Sequence, residues 1–364
     1  MTKIQKTGKR QQPTSSPSDT LFANTAGGTF GDKFDAFVDD ILPSYGIAEV
    51  ANFVRIAGKR SRDNTASHMI RRLPDIACQL ELLESSAWDY NEISFVLYGT
   101  QSCKESDDGY LRIMMTMSKI AFRTVLKNNA IDSLSLAIML CGLRSNKIKE
   151  QESKEMVSSL SRIVEKCSEP HSAQNAANEL YGLQGMSSDD ADVRSLMCAL
   201  SGQVARYTEP LSAQNVGYAL YGLQVMSSDD PAVRSLVRAL VGPVARCTQP
   251  LDLQAVGNSF YGQQRMRSDD ADVRSLLNAL KHHLWNRNDG PRNRKWYALD
   301  AQALGNALYG LQGMSCDGKD WDMRSLLDSL SGQVAACMEP LDAQAVGNAL
   351  CGLQSMSSDD ADVR

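Results

Sequence analysis

The chain has 364 residues, 43% of them hydrophobic and only 6% aromatic, with a formal net charge of −5. That length can bury a sizeable core, either as two ordinary domains or as one repeat array, and the acid excess excludes a chain that attracts nucleic acid by its bulk charge. Nine scattered cysteines without a CxxC pair do not read as a disulfide framework and imply reduced thiols in an intracellular compartment; no stretch reads as a membrane span or a signal peptide.

Residues 1–30 open with "MTKIQKTGKRQQPTSSPS", which carries Lys3, Lys6, Lys9 and Arg10 and precedes the first acid, Asp19. Basic, polar and poor in apolar residues, this segment reads as a disordered tail, with an organellar transit peptide as the alternative. Residues 31–84 read as a degenerate helical cap or repeat, in which "IAEVANFVRIAGK" at 47–59 is an early, degenerate copy of the later units.

From residue 85 to 364 the chain repeats itself. Aligned on the glycine of a Tyr/Cys–Gly pair, the units are anchored at Gly99, Gly142, Gly182, Gly222, Gly262, Gly310 and Gly352, with spacings of 43, 40, 40, 40, 48 and 42. Each unit reads as two helices. In the unit at 170–207, Pro170 ends the preceding element and a first helix is predicted over Ser172 to Met186. Its apolar face is Ala173, Ala176, Ala177, Leu180 and Leu183. A second helix comes after "SSDD", with Ser187 and Asp190 spaced as a capping box and Val193, Leu196, Met197, Leu200, Val204 and Tyr207 as its buried stripe. Cys167, Cys247 and Cys337 align with Tyr207 and read as small buried hydrophobes. Two-helix units cannot bury their faces alone, but stacked copies can. The fold expected is all-α: a right-handed α-solenoid of about 40-residue helix-turn-helix repeats, seven clear copies and an eighth, degenerate one.

The Tyr/Cys–Gly glycines, off the apolar stripe, are expected to mark contact with a neighbouring helix. A polar strip beside the buried face joins Gln174, Asn178, Tyr181 and Gly185, and recurs as Gln214, Tyr218, Tyr221 and Val225, then Gln254, Asn258, Tyr261 and Arg265, and in two further units. Amides pair with base edges and rings stack on bases, so the strip is a candidate groove for single-stranded RNA. The invariant Gln174 and its counterparts fit an inter-repeat hydrogen-bond ladder better than base readout, and Gln184, Gln224, Gln264, Gln312 and Gln354 read as satisfied structural amides. The positions that vary, Asn178, Tyr218, Asn258, Asn306 and Asn348, together with Arg265, are the readout candidates. Arg194, Arg234, Arg274, Arg324 and Arg364 recur at the start of the second helix. They read as ion pairs with the aspartate four residues earlier, with phosphate contact as the alternative.

The 48-residue spacing marks an insertion at 281–299, "KHHLWNRNDGPRNRKWYAL". Arg287, Arg292, Arg294 and Lys295 are interleaved there with Trp285, Trp296 and Tyr297. Cations for phosphates and flat rings for bases are what a single strand needs, although the rings could also pack back onto the array. RNA binding predicts a positive side carrying Arg265 and the insertion, opposite the "SSDD" acids. No metal-ligand spacing surrounds His68, His171, His282 or His283, and no phosphate-cradling loop or nucleophile elbow is present, so no enzyme activity, cofactor, metal or small-molecule substrate is expected.

The sequences "LDAQAVGNAL" at 341–350 and "LYGLQGM" at 308–314 resemble the first helix of octotricopeptide-type repeats. They are also similar to the helical repeats of RNA-editing substrate-binding complex proteins. The shared pattern, Leu-x-Ala-Gln-x-x-x-Asn-x-Leu-x-x-Leu, is carried by Leu341, Ala343, Gln344, Asn348, Leu350 and Leu353. The chain departs from the octotricopeptide pattern in having Tyr181, Tyr221, Tyr261, Tyr309 and Cys351 where Trp is usual, and in its acidic balance. The resemblance implies organellar RNA processing in a mitochondrion or chloroplast, the cytoplasm being the alternative. Single-stranded RNA and other proteins of an RNA-processing complex would be its partners, with no membrane. A protein-binding scaffold on the same surface is the competing reading. The chain stops at "SSDDADVR", where a second helix should begin, which predicts truncation of a further C-terminal part.

Overall fold

The structure, a computed structural model, describes residues 30–59, 65–127, 131–169, 171–285, 299–315 and 321–356. Seventeen α-helices and no strand are found among the described residues. Four open the chain: α1 (Phe30–Ala36), α2 (Ile47–Lys59), α3 (Thr65–Arg71) and α4 (Leu73–Leu82). Six pairs come next, α5 (Tyr90–Gly99) with α6 (Tyr110–Leu126), α7 (Ser133–Gly142) with α8 (Gln151–Lys166), α9 (Ala173–Tyr181) with α10 (Ala191–Ala205), α11 (Ala213–Tyr221) with α12 (Pro231–Ala245), α13 (Leu253–Tyr261) with α14 (Ala271–Trp285) and α15 (Ala301–Tyr309) with α16 (Trp321–Ala336). The last described helix is α17 (Ala343–Leu353).

From α4 on, each helix packs chiefly on the helix two places along the chain, and α2 packs chiefly on α5. One layer therefore runs α2, α5, α7, α9, α11, α13, α15 and α17, and the other α4, α6, α8, α10, α12, α14 and α16. This two-layer stack of neighbours is a helical solenoid, in which stability is a sum of units and nearest-neighbour interfaces. The degenerate N-terminal region contributes α2 and α4 to the two layers. Phe34 of α1 and Phe37 just after it pack on Phe53 of α2, with ring centroids 5.5 and 4.8 Å apart.

Local chemistry sets the helix ends. Every first-layer helix from α5 to α17 starts at a Ser or Asp whose side chain accepts the N–H of the third helical residue, as Ser212 does from Asn215 at 3.1 Å and Asp252 from Ala255 at 2.7 Å. The helix predicted over Ser172 to Met186 is shorter: α9 stops at Tyr181 and a 3₁₀ turn, Gly182–Gly185, finishes it. The predicted capping box is corrected too. The cap of α10 is Asp190, which accepts from Asp192 and Val193 at 2.9 and 3.3 Å, while Ser187 bonds Asp189 inside the loop.

The stacking rests on backbone contact. A β-carbon built on Gly222 would overlap the carbonyl oxygen of Leu180 in the preceding unit; Gly262 stands so against Leu220, Gly310 against Phe260 and Gly352 against Leu308. Gly217, Gly257 and Gly305 likewise press on the backbone of Ala255, Ala303 and Ala345 in the unit ahead, at 2.9, 3.2 and 2.8 Å for an added β-carbon. The first four contacts, where an added β-carbon would overlap a carbonyl oxygen, admit only glycine. The predicted stripes of α9 and α10 are buried except for Ala173, which is half-buried at the start of α9; Cys167 and Cys247 are buried, whereas Cys337 is half-buried.

The "SSDD" loops also join units. Ser188 accepts the backbone N–H of Ser227 at 3.1 Å, Ser228 that of Arg267 at 2.9 Å, and Ser268 that of Ser315 at 3.0 Å, all three from buried positions. No helix among the described residues is long and apolar enough to cross a membrane.

Candidate nucleic-acid interface

The five first-layer helices α9, α11, α13, α15 and α17 carry a single charged residue, Glu179, and it is buried. Their solvent side is therefore a neutral face in an otherwise acidic chain. The acids stand at its two edges, as the caps Asp252, Asp300 and Asp342 on one and Asp189, Asp229 and Asp269 on the other.

Helical spacing brings one row of this face from each unit into register. Asn178, Tyr218, Asn258, Asn306 and Asn348 are half-buried at equivalent positions. The four asparagine side chains make no hydrogen bond to the described residues, which leaves donors and acceptors pointing at whatever occupies the face. Beside them the tyrosines stack on one another. Tyr181 and Tyr221 have centroids 5.9 Å apart, Tyr221 and Tyr261 5.6 Å, and Tyr261 and Tyr309 5.4 Å, with ring planes 28°, 18° and 22° apart. Tyr218 leans on Tyr181 at 5.1 Å. Burial and the adjoining phenols push the Tyr221 and Tyr261 hydroxyls above their ordinary range, so they stay neutral.

The invariant glutamines do not form the expected ladder. Gln174, Gln214, Gln254, Gln302 and Gln344 are exposed, and Gln214 bonds within its own helix, to the Tyr218 hydroxyl at 3.0 Å. Amide contacts between units are made ten residues later, where Gln224 donates to the Gln184 carbonyl at 3.1 Å and Gln312 to the Gln264 side chain at 3.3 Å.

The recurrent arginines also find other partners than expected. Arg194 donates to the Ser188 and Asp189 carbonyls at 2.9 and 3.0 Å and faces Asp230, the cap of the next unit, at 3.7 Å. Arg234 repeats this with Ser228, Asp229 and Asp270. These side chains tie loops together and join successive units.

Arg265 is exposed and donates to the Val225 carbonyl at 2.9 Å. It lies on the edge that carries Asp229 and Asp269, not on the opposite one, because it comes after the C-terminus of α13 whereas the insertion comes after the C-terminus of α14. The insertion also starts later than expected, since α14 runs on to Trp285. Arg287, Arg292, Arg294, Lys295, Trp296 and Tyr297 lie outside the described residues.

Two features escaped the sequence reading. In the units of α2, α5 and α7 the polar row changes character: Arg55, Phe95, Tyr98, Leu134, Ala137, Ile138, Cys141 and Asn178 line a groove of about 320 Å³. The register was already visible, since Leu134 aligns with Gln174, Ile138 with Asn178 and Cys141 with Tyr181 once Gly142 is set on Gly182. The second feature is internal. His171 Nδ1 lies 2.9 and 3.0 Å from the two oxygens of Glu179, and its Nε2 lies 3.3 Å from Cys167 Sγ. The side chains of His171 and Glu179 are 5% and 2% exposed. They stand where neighbouring units carry Leu211 and Ala219 or Leu251 and Ser259, so two departures in one unit were the available signal. Burial opposes a charge on His171, but its hydrogen bonds to Cys167 and Glu179 outweigh this and lift it to about 10. Burial pushes Glu179 upward while His171 pulls it down. The cluster is closed to solvent and is an ion pair inside the stack.

Compared with known proteins, the chain matches no protein-family profile and no curated protein.

Proposed function

We propose that the chain is a binding protein whose first-layer face holds single-stranded RNA, along a right-handed solenoid as expected from the sequence. The observation that carries this reading is the single row of unpaired amides, Asn178, Asn258, Asn306 and Asn348, beside a continuous tyrosine stack and free of carboxylates. One polar side chain per unit, an amide in four of the five, suits base edges, which are read by side chains that both donate and accept. Acids on this face would repel phosphate, and none is exposed there. The cations that neutralise phosphates would come from the insertion, Arg287, Arg292, Arg294 and Lys295, with Trp285, Trp296 and Tyr297 among them. The resemblance to organellar repeat proteins supports RNA processing in a mitochondrion or chloroplast, in a complex with other proteins.

A protein partner on the same face is the second reading, favoured by one observation: among the described residues the face holds few cations, and acids line both of its edges.

Fluorescence anisotropy with a labelled, mixed-sequence single-stranded RNA across a salt series tests the choice. RNA binding predicts a log–log salt slope of about −0.7 per phosphate neutralised, weaker binding in the triple variant Arg292→Ala, Arg294→Ala, Lys295→Ala, and weaker binding in Asn258→Ala with Asn306→Ala. No binding at low salt would overturn the RNA reading and leave the protein partner.

A further inference from the structure

The tyrosine stack is interrupted at one unit. Tyr181, Tyr221, Tyr261 and Tyr309 each lie 5.4–5.9 Å from their neighbour in the row. The equivalent residue of α5 is Tyr98, but the residue between Tyr98 and Tyr181 is Cys141. A thiol is much smaller than a phenol, and among the described residues no ring contact joins Tyr98 to Tyr181. The 320 Å³ groove opens beside Cys141, with Tyr98 on the α5 side and Asn178 on the α9 side of its lining. Its floor is apolar: Ala137 is buried, Ile138 and Phe95 are half-buried, and Leu134 is 56% exposed at the rim.

The groove has polar ends. Arg55 lies over the Phe95 ring with its guanidinium carbon 4.8 Å from the centroid, held by Asn52 at 2.6 and 3.2 Å. Arg144 lies over Tyr181 at 5.8 Å. The free amide of Asn178 borders the other side. Cys141 donates its thiol to the Asn178 carbonyl at 3.2 Å, and burial pushes that thiol up to about 11, so it is neutral and unreactive at physiological pH.

Resting on the RNA reading, we infer that this groove takes one nucleobase of the bound strand, seated beside Tyr98 where Cys141 stands in the row of rings. A base is planar and as thick as the missing phenol. It would lie against Tyr98, cover Ile138 and Phe95, and present its edge to the Asn178 amide. Arg55 and Arg144 would face the phosphates on either side. The strand is thereby fixed in register at the N-terminal end of the amide row.

The test uses two substitutions that import residues other units already carry at these positions, Cys141→Tyr and Ile138→Asn. The probe is a set of single-stranded RNAs with one 2-aminopurine moved along the sequence, read by fluorescence and anisotropy on the full chain. The inference expects strong quenching at one position of the bound strand. Cys141→Tyr should lose that quenching and bind about tenfold more weakly, the loss of one stacked base. Ile138→Asn, which leaves the slot open but makes its floor polar, should weaken binding by a smaller factor. Salt-dependent binding without position-specific quenching, or equal quenching and affinity in Cys141→Tyr, overturns the base slot and leaves the RNA reading standing. No binding of any of these RNAs by the unaltered chain overturns both.

Discussion

Gly222 presses so closely on Leu180 of the preceding unit that a β-carbon there would meet the Leu180 carbonyl oxygen. The obstacle is backbone and cannot swing aside. Gly222→Ala should therefore destabilise the array by about 3 kcal/mol, at the upper end of the range for overpacking. Gly202 is the control. It lies on the exposed side of α10 with nothing within 4 Å of an added β-carbon, so Gly202→Ala should stabilise by about 1 kcal/mol through helix propensity. Urea unfolding of both variants decides; equal effects would refute the role given to the glycine contact.

The paired serines of the loops should behave differently. Ser228 is buried and accepts the Arg267 N–H at 2.9 Å, so Ser228→Ala leaves a part-buried donor without its partner and should cost about 1 kcal/mol. The Ser227 hydroxyl bonds only within its loop, to Asp229, and Ser227→Ala should stay within about 0.5 kcal/mol. Thermal melts of the two side by side suffice.

The two aspartates of the same loop divide in the same way. Asp230 caps α12, accepting from Ala232 at 2.7 Å, and meets Arg194 of the preceding unit at 3.7 Å. Asp230→Ala should cost about 1–2 kcal/mol. Asp229→Ala removes an exposed carboxylate that faces Arg267 at 3.8 Å and should cost under about 0.5 kcal/mol. A cost for Asp229 as large as that for Asp230 would show the cap assignment to be wrong.

The buried pair makes stability depend on pH. His171 is lifted from 6.5 to about 10 on folding, so the folded state holds its proton more tightly than the unfolded one. The stability this contributes is complete below about 6.5 and is lost as pH rises through about 10. Glu179, pushed upward by burial, acts in the same direction at lower pH. His171→Leu alone leaves a buried carboxylate without its partner and should cost about 3–5 kcal/mol. The double variant His171→Leu with Glu179→Ala restores the residues of the next unit. It should be at least as stable as the parent at pH 7 and should not weaken between pH 7 and 10. Urea midpoints measured across that range test the sign.

Period, layer order and buried stripes could be read from the sequence because packing forces the same solution on every unit. The polar row was visible at Asn178, Tyr218 and Asn258 for the same reason: a face at fixed helical spacing keeps its register. Partnership across units escaped. Arg194 has an aspartate four residues earlier in its own sequence, yet it bonds loop carbonyls and the cap of the next unit, because the cap of α10 is already engaged with backbone N–H groups. Gln174 looked like a ladder residue from its invariance, but invariance does not distinguish a bonded amide from an exposed one. The groove at Cys141 needed the comparison of two degenerate units, where apolar residues replace the amides and a thiol replaces a ring.

The contact of Gly310 with Phe260 is the same as that of Gly222 with Leu180, although the spacing before Gly310 is 48 residues and that before Gly222 is 40. The tyrosine rings agree, at 5.4 Å across the longer unit and 5.6 Å across the shorter one before it. The extra residues fall between α14 and α15 in the chain, and the rise from one first-layer helix to the next is set by backbone against backbone. The face is thus graduated like a ruler: its divisions keep their width whatever number of residues separates them in the chain, so the number of units, and not the number of residues, measures the span it offers to a ligand.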